Sequence, residues 1–181
     1  MAEDELEKFK QRVRKRVEET LRLEGNPEAL RDLEEAERIV YSQVTNKELE
    51  ALIMIQDSLC KRCGECCRRC SPILVSREEV ENIARFLNVS PGSLRKRLNL
   101  KPSGFEGWFN MPGRPCRFLE DNHCSIYPVR PQACRDFPGG YLKLKAETEG
   151  VLEIPAYCSI IEKFFEERIL GFLFRSPRKH V

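Results

Sequence analysis

The sequence lacks a long apolar run. Its longest, ILGFLF at residues 169–174, is far shorter than the roughly 20 residues that a membrane-spanning helix needs. The beginning, MAEDELEKFKQRVRKR, is charged from its third residue onward and has no apolar core of a secretory signal. These absences argue against a membrane or secreted protein, and we expect a cytoplasmic one.

Histidine and recognisable catalytic motifs are also scarce. The chain has two histidines, His123 and His180, and it shows no glycine-rich nucleotide loop, paired-carboxylate motif or nucleophile–base signature. We therefore favour a non-catalytic protein.

Cysteine, in contrast, is abundant. The 181 residues include nine cysteines, and five of these lie in CKRCGECCRRC at residues 60–70. In the cytoplasm thiols stay reduced, so a dense cysteine cluster indicates metal binding rather than disulfides. A chain of this length also buries roughly 70% of its unfolded surface, and so does not need disulfides to fold.

Charge divides the chain into two parts. Residues 1–59 carry 10 Lys and Arg against 15 Asp and Glu, and residues 60–181 carry 21 against 14. Thiolates that form around a metal would offset much of the basic excess in the second part, which disfavours nucleic acid as a partner. The acidic first part is a candidate docking element for a protein partner.

The first 59 residues have the pattern of three helices. Asn26–Pro27 and the pair Thr45 and Glu48 are typical helix starts. Sustained heptads are absent, so we interpret the apolar stripe as packing within the chain rather than as a dimer seam. The stripe consists of Leu6, Phe9, Val13, Val17, Leu21, Leu30, Leu33, Ala36 and Val40.

The rest of the chain is predicted to be less regular. Ser76 with Glu79 and Ser90 with Pro91 indicate two more helix starts, and residues 101–140 read as loop with short strands. The alternation in YLKLKAETEGVLEI, residues 141–154, predicts a hairpin, and a last helix begins near Pro155. The expected fold is mainly α with an irregular, cysteine-rich loop region and a small β-hairpin. This metal-stabilised α+β domain, at 60–181, follows a helical extension at 1–59.

The cysteine spacing predicts metal ligands. C-x2-C is the usual local half-site, and Cys60–Cys63 and Cys63–Cys66 both have it. Adjacent side chains diverge, so Cys66 and Cys67 favour two neighbouring sites or two metals of one cluster. Eight thiolates would fill two tetrahedral sites and leave Cys70 spare, although a polynuclear centre with fewer ligands is an alternative. The eight are Cys60, Cys63, Cys66, Cys67, Cys116, Cys124, Cys134 and Cys158.

Two other spacings compete within the same stretch. Cys60, Cys63, Cys66 and Cys70 have the C-x2-C-x2-C-x3-C spacing of bacterial ferredoxins, which favours a 4Fe–4S cluster. The C-x3-C-x2-C spacing of radical S-adenosylmethionine enzymes also occurs, but no strand–helix repeat follows from which to build their barrel. His123, beside Cys124, is an alternative ligand.

Two motifs together resemble the CxxCxxCC cysteine-cluster family (YkgJ-like), whose members are described as zinc- or iron-chelating. The motifs are CKRCGECC at residues 60–67 and PCRFLEDNHCSIYPVRPQACRDFP at residues 115–138. The resemblance covers roughly residues 60–160 and implies ligand roles for the cysteines of both motifs. Cys158 matches the late family cysteine without the usual Pro-Gly after it. Related domains occur in a flagellin lysine methylase, so a methyltransferase-like enzyme is a third alternative.

We therefore expect a cysteine-cluster metalloprotein that binds one or two iron–sulfur clusters, with zinc as the alternative cofactor. It would act in electron transfer or as an accessory of a larger redox or maturation system. The alternative is a structural zinc module that mediates partner binding. Basic side chains would offset the excess charge of the thiolates or bond to loop carbonyls; they are Arg62, Arg68, Arg69, Arg130 and Arg135.

Overall fold

The structure, a computed structural model, describes residues 3–23 and 25–175, which fall into two compact units. One unit comprises the described residues among 1–55 and 142–181, and the other comprises Gln56–Tyr141. The expected domain boundary between residues 59 and 60 is a different partition and stays a prediction.

The described residues are mainly helical, as the sequence predicted. The α-helices are α1 (Glu3–Leu21), α2 (Pro27–Ser42), α3 (Asn46–Leu59), α4 (Glu65–Arg69), α5 (Arg77–Phe86), α6 (Pro91–Leu98), α7 (Gln132–Arg135), α8 (Gly139–Glu149) and α9 (Ser159–Arg175). The strands are β1 (Ile73–Ser76), β2 (Lys101–Pro102), β3 (Trp108–Met111), β4 (Leu119–Glu120) and β5 (His123–Cys124), and a 3₁₀ helix covers Tyr127–Val129.

The first unit packs α1 and α2 against α9. Six of the nine residues of the apolar stripe are buried inside this unit and the other three are partly buried, which supports packing within the chain. Phe9 of α1 lies edge-on to Phe165 of α9, with 5.9 Å between the ring centroids. Arg168 of α9 donates to the carbonyl of Val40 and to the carboxylate of Glu48. These contacts fix the end of α2 and the start of α3 against one helix.

The hairpin predicted at residues 141–154 is wrong, because most of that segment lies in α8. Its Leu and Lys alternate, but Leu142 is fully buried and Leu144 is 58% exposed, so the alternation does not define one buried face. Leu, Lys, Ala and Glu are good helix formers, and Lys145 pairs with Glu149 one turn later. Gly150 follows the helix with a φ of +67°, a common helix stop.

The core of the second unit combines a small sheet with α5 and α6. Strands β1, β3 and β2 form an antiparallel sheet in that order, with Val75 opposite Phe109. The Ser76–Glu79 capping box predicted from the sequence starts α5. Cys116 and Cys124 pack against the apolar core that this sheet shares with α5 and α6. The unit therefore supplies a stable frame on which the irregular cysteine-bearing segments lie.

A short hairpin does occur elsewhere in this unit. Strands β4 and β5 are antiparallel, with Leu119 opposite Cys124 and Glu120 opposite His123. Asp121 and Asn122 form the turn with positive φ values. The predicted class, mainly α with a small hairpin in the cysteine region, thus holds, although the hairpin lies about 20 residues before the predicted one.

Candidate metal centre

The first cysteine motif makes a tight turn that leads into α4. Gly64 begins this helix with a φ of +75°, and the backbone N–H of Cys70 donates to the carbonyl of Cys66 at 2.8 Å to close it. An added Cβ at Gly64 would lie 2.9 Å from the backbone oxygen of Asn122 and from Cδ1 of Leu119. The absence of a side chain at Gly64 therefore lets the motif approach the β4–β5 hairpin closely.

The second cysteine motif contacts the first through its backbone. The N–H of Cys116 donates to the carbonyl of Cys67 at 2.7 Å. Cys124 then lies on β5, and Cys134 lies on α7. Three separate segments of the second motif thus present cysteines within the same compact unit as α4.

The adjacent thiols of Cys66 and Cys67 interact with one another. Their interaction lowers the pKa of Cys66 to about 7 and raises the pKa of Cys67. Residues that follow each other on a helix point about 100° apart, so the expected divergence of these two side chains stays a prediction.

The other thiols of the second motif are close enough to interact electrostatically with this pair. Burial raises the pKa of Cys116, Cys124 and Cys134, and each of these pKa values is raised further by the charge of Cys66. These five residues form the thiol cluster: Cys66, Cys67, Cys116, Cys124 and Cys134.

The other four cysteines of the chain are not part of this cluster. Cys70 is the cysteine expected to be spare. Its charge also raises the pKa of Cys134, although burial and the charges of Cys116, Cys66 and Cys124 raise that pKa more. The sulfur of Cys60 accepts from the backbone N–H of Arg62 at 3.4 Å, and Cys63 is exposed. Cys158 lies in the other compact unit, so its predicted ligand role stays a prediction. All nine cysteines are within the described residues, and no disulfide joins them.

Arg130 is the basic residue most closely associated with the thiols. Its charge contributes to the lowered pKa of Cys66, where the interaction with Cys67 is the largest cause, and partly offsets the rise that burial causes in the pKa of Cys124. Its guanidinium lies 3.7 Å from the ring centroid of Tyr127 and also donates to Asp57. Its side chain is 9% exposed. Arg130 is thus a fixed, largely buried positive charge beside the cluster.

The other predicted arginines mainly hold the loops. Arg68 donates to the carbonyl of Cys63 at 3.1 Å and bonds to Asn122. Arg135 donates to the carbonyls of Arg130 and Pro128. Arg62 stacks over the Tyr127 ring at 4.1 Å. Loop-carbonyl bonding, one of the two roles expected for these residues, is therefore observed for Arg68 and Arg135, and contact with a cofactor stays a prediction.

Two residues of α3 also support the site, and the sequence interpretation missed both. The side chain of Gln56, only 1% exposed, donates to the carbonyl of Arg135 at 2.7 Å and accepts from the N–H of Gly139 at 2.9 Å. Asp57 accepts from the hydroxyl of Tyr127 at 2.8 Å. Gln56 continues the spacing of buried Leu49 and Leu52 along α3, so a polar residue at a core position was an available signal.

His123, the alternative ligand expected from the sequence, lies on β5, and its ligand role stays a prediction. His123 is exposed, and its Nδ1 lies 2.7 Å from the carbonyl oxygen of Asp121. His180 lies outside the described residues.

The comparison with known families decides the identity of the cysteine region. Residues 59–159, more than half of the chain, match the CxxCxxCC family, described as a "Putative zinc- or iron-chelating domain". The chain belongs to this family. Comparison of the chain with the curated proteins and with the solved structures found no match. Membership in the CxxCxxCC family supports metal binding, by chelation of zinc or iron.

The donor chemistry of the thiol cluster fits such a metal. Thiolates are soft ligands that suit zinc and iron–sulfur clusters, and the five come from four separate segments of one unit. Within residues 3–23 and 25–175, however, three or more Cys, His, Asp or Glu side chains nowhere converge as a complete metal-holding group. The ligand type therefore fits, and the thiols are neighbours rather than an assembled coordination shell.

Membrane insertion can be tested on the same structure. Among the described residues, no helix combines the length and the apolar character needed to cross a bilayer.

Proposed function

We propose that this CxxCxxCC protein holds an iron–sulfur cluster and acts in electron transfer, or as an accessory of a larger redox or maturation system. The observation that carries the proposal is the thiol cluster, in which five cysteines from both motifs interact electrostatically within one compact unit. A buried core does not require such a grouping, whereas a polynuclear centre needs several thiolates close together.

The thiol cluster and the exposed turn before it would supply the ligands. The interaction between Cys66 and Cys67 favours one polynuclear centre that both can reach. Cys60 and Cys63 belong to the same turn and complete the C-x2-C half-sites. A 4Fe–4S cluster is the favoured centre, one or two per chain, and Cys158 is an eighth candidate ligand. When bound, such a cluster supplies a one-electron redox centre.

The residues around the thiols have two tasks in this proposal. Arg130 offsets the negative charge of thiolates, because its guanidinium is held beside Cys66 and Cys124 by Asp57 and Tyr127. The thiols must also lose their protons before they bind a metal. Since burial raises the pKa of Cys116, Cys124 and Cys134, metal binding by this site would release protons near neutral pH.

The N-terminal helices are the proposed docking element for a protein partner. Residues 1–59 carry five more acidic than basic side chains, and α2 contributes three of this excess through an exposed acidic face that includes Glu28, Asp32, Glu34 and Glu35. A partner with a basic surface would be attracted to such faces. We also propose a cytoplasmic location, where exposed thiols such as Cys63 stay reduced.

A structural zinc module is the second candidate. It is favoured by the short, irregular elements on which the cysteines lie, since α4 has five residues and α7 has four. Zinc held by four thiolates would fasten these segments and contribute directly to folding. In that case partner binding, rather than electron transfer, would be the function.

Redox behaviour and ligand substitution test the proposal together. Protein purified without oxygen is expected to be brown, and chemical reduction should bleach its visible absorption. We expect Cys67→Ser and Cys116→Ser to lose the absorption, with Cys70→Ser as the matched control in the same motif. Colourless protein that contains zinc would favour the structural module. Loss of the absorption in Cys70→Ser as complete as in Cys67→Ser would make Cys70 a ligand and support the ferredoxin-like spacing.

A further inference from the structure

A cavity of about 460 Å³ lies in the unit formed by Gln56–Tyr141. One wall comes from α5 through Glu79, Arg85 and Phe86, and the opposite wall comes from the segment at residues 128–135. This volume is within the range of small-molecule sites. The cavity is outside the thiol cluster, and neither the metal proposal nor the family description assigns it a role.

The lining of the cavity has an excess of positive charge. Three guanidinium groups line it, from Arg85, Arg130 and Arg135, together with one carboxylate, from Glu79. That carboxylate accepts from two backbone N–H groups, of Ser76 at 2.7 Å and of Gln132 at 2.6 Å. Both of its oxygens are therefore engaged by the fold, and it does not pair with the arginines.

Two of the three guanidinium groups lack a carboxylate partner. Arg85 donates to the amide oxygen of Asn82 at 3.1 Å, and Arg135 donates to backbone carbonyls. Within the described residues, neither of them forms an ion pair, whereas Arg130 pairs with Asp57. Guanidinium groups bind carboxylate and phosphate well because their N–H groups match these anions in pairs.

Part of the lining is apolar. The ring of Phe86, 48% exposed, faces the cavity together with Pro128 and Val129. A large exposed aromatic ring beside unpaired arginines suits a ligand that has both an anionic group and an apolar body. An inorganic anion alone would leave this wall without a contact.

We propose that the cavity binds a small organic anion, whose carboxylate or phosphate group contacts Arg85 and Arg135 and whose apolar body lies against Phe86. Arg130 lines the cavity and is also the charged neighbour of Cys66 and Cys124. An anion bound here would therefore be placed beside a residue that influences the thiol cluster.

Calorimetric titration of the full chain, as purified, tests this site with three probes. Phenyl phosphate and benzoate carry the two anionic groups on an aromatic body, and benzyl alcohol is the neutral analogue. We expect saturable one-to-one binding of at least one anion and no measurable binding of the alcohol. Arg85→Gln should weaken the binding about tenfold or more, because it removes a charge-assisted contact. Which anion binds more tightly then distinguishes a phosphate ligand from a carboxylate ligand.

The control is Arg97→Gln, which removes an exposed positive charge on α6 of the same unit and outside the cavity. It should bind the anion as the unmodified chain does, and circular dichroism should show that both variants are folded. Failure of both anions to saturate, binding of benzyl alcohol with equal affinity, or equal weakening by Arg97→Gln would overturn the proposal. The titration does not depend on which metal the chain holds, so its failure would leave the proposed function standing.

Discussion

Gly64 offers the sharpest test of how the two cysteine motifs are held together. Its φ of +75° favours glycine, and a Cβ there would lie 2.9 Å from the backbone oxygen of Asn122. The left-handed conformation costs a residue with a side chain about 1–2 kcal/mol. Crowding against the hairpin backbone adds about 1–3 kcal/mol, because a carbonyl on a paired strand turn cannot move aside freely. We therefore expect Gly64→Ala to lower the free energy of unfolding by about 2–5 kcal/mol.

Gly107 provides a matched control in the same unit. Its φ of +77° is nearly the same, but an added Cβ would meet nothing within 4 Å. Gly107→Ala should therefore lose only the conformational cost, about 1–2 kcal/mol. Trp108, the single tryptophan of the chain, lies in this unit, so its fluorescence during urea unfolding follows the relevant part of the molecule.

The difference between the two variants isolates the contact between the motifs. If the close approach positions Cys66 and Cys67 against the second motif, Gly64→Ala should also retain less metal per chain than Gly107→Ala. Equal losses of stability and equal metal contents in the two variants would refute the reasoning, because the conformation of the glycine alone would then account for both.

Three further predictions concern polar contacts. Gln56→Leu should lower the free energy of unfolding by about 2–4 kcal/mol in the tryptophan-monitored urea titration, because it leaves the carbonyl of Arg135 and the buried N–H of Gly139 without their partner. A change below about 0.5 kcal/mol would show that these groups find other partners. Arg168→Ala should lower thermal stability, measured by helical circular dichroism, by about 2 kcal/mol, because the Arg168 guanidinium binds Glu48 and the end of α2. The control Arg14→Ala removes a more exposed arginine of the same unit and should lower thermal stability by less. Burial raises the pKa of Glu48, but the hydrogen bonds from Arg168 and Thr45 outweigh burial and leave the pKa below its usual 4.5. Ionised Glu48 therefore stabilises the fold above pH 4.5, and this stabilisation is lost as the pH falls through the lower folded pKa. The difference in the free energy of unfolding between wild type and Glu48→Gln should shrink between about pH 5.5 and pH 3. A difference that stays constant over this range would contradict the reasoning.

Local signals in the sequence predicted local structure well. The capping box of Ser76 and Glu79 and the start of α2 at Asn26–Pro27 need only neighbouring residues, and both are present. The segment at residues 141–154 failed because its alternating Leu and Lys residues also suit a helix. Periodicity alone could not distinguish a strand from a helix in this segment. The helix propensity of its residues and the i,i+4 pair of Lys145 and Glu149 favour the helix that is present.

The arrangement of the site was less predictable, because it depends on contacts between distant segments. The spacing of the cysteines indicated metal binding, but not that Cys67 would interact with Cys66 or that its carbonyl would hold Cys116. Both depend on how the second motif lies against α4. Gln56 was missed for a similar reason, since its partners at Arg135 and Gly139 are some 80 residues further along the chain.

The central claim is that the thiol cluster holds iron and sulfide. The most direct measurement is the content of iron, zinc and acid-labile sulfide in the full chain purified without oxygen, together with its visible spectrum. We expect iron with a matching amount of sulfide, about four of each for every cluster. Zinc without sulfide would contradict the claim and would leave the cysteines as a structural site.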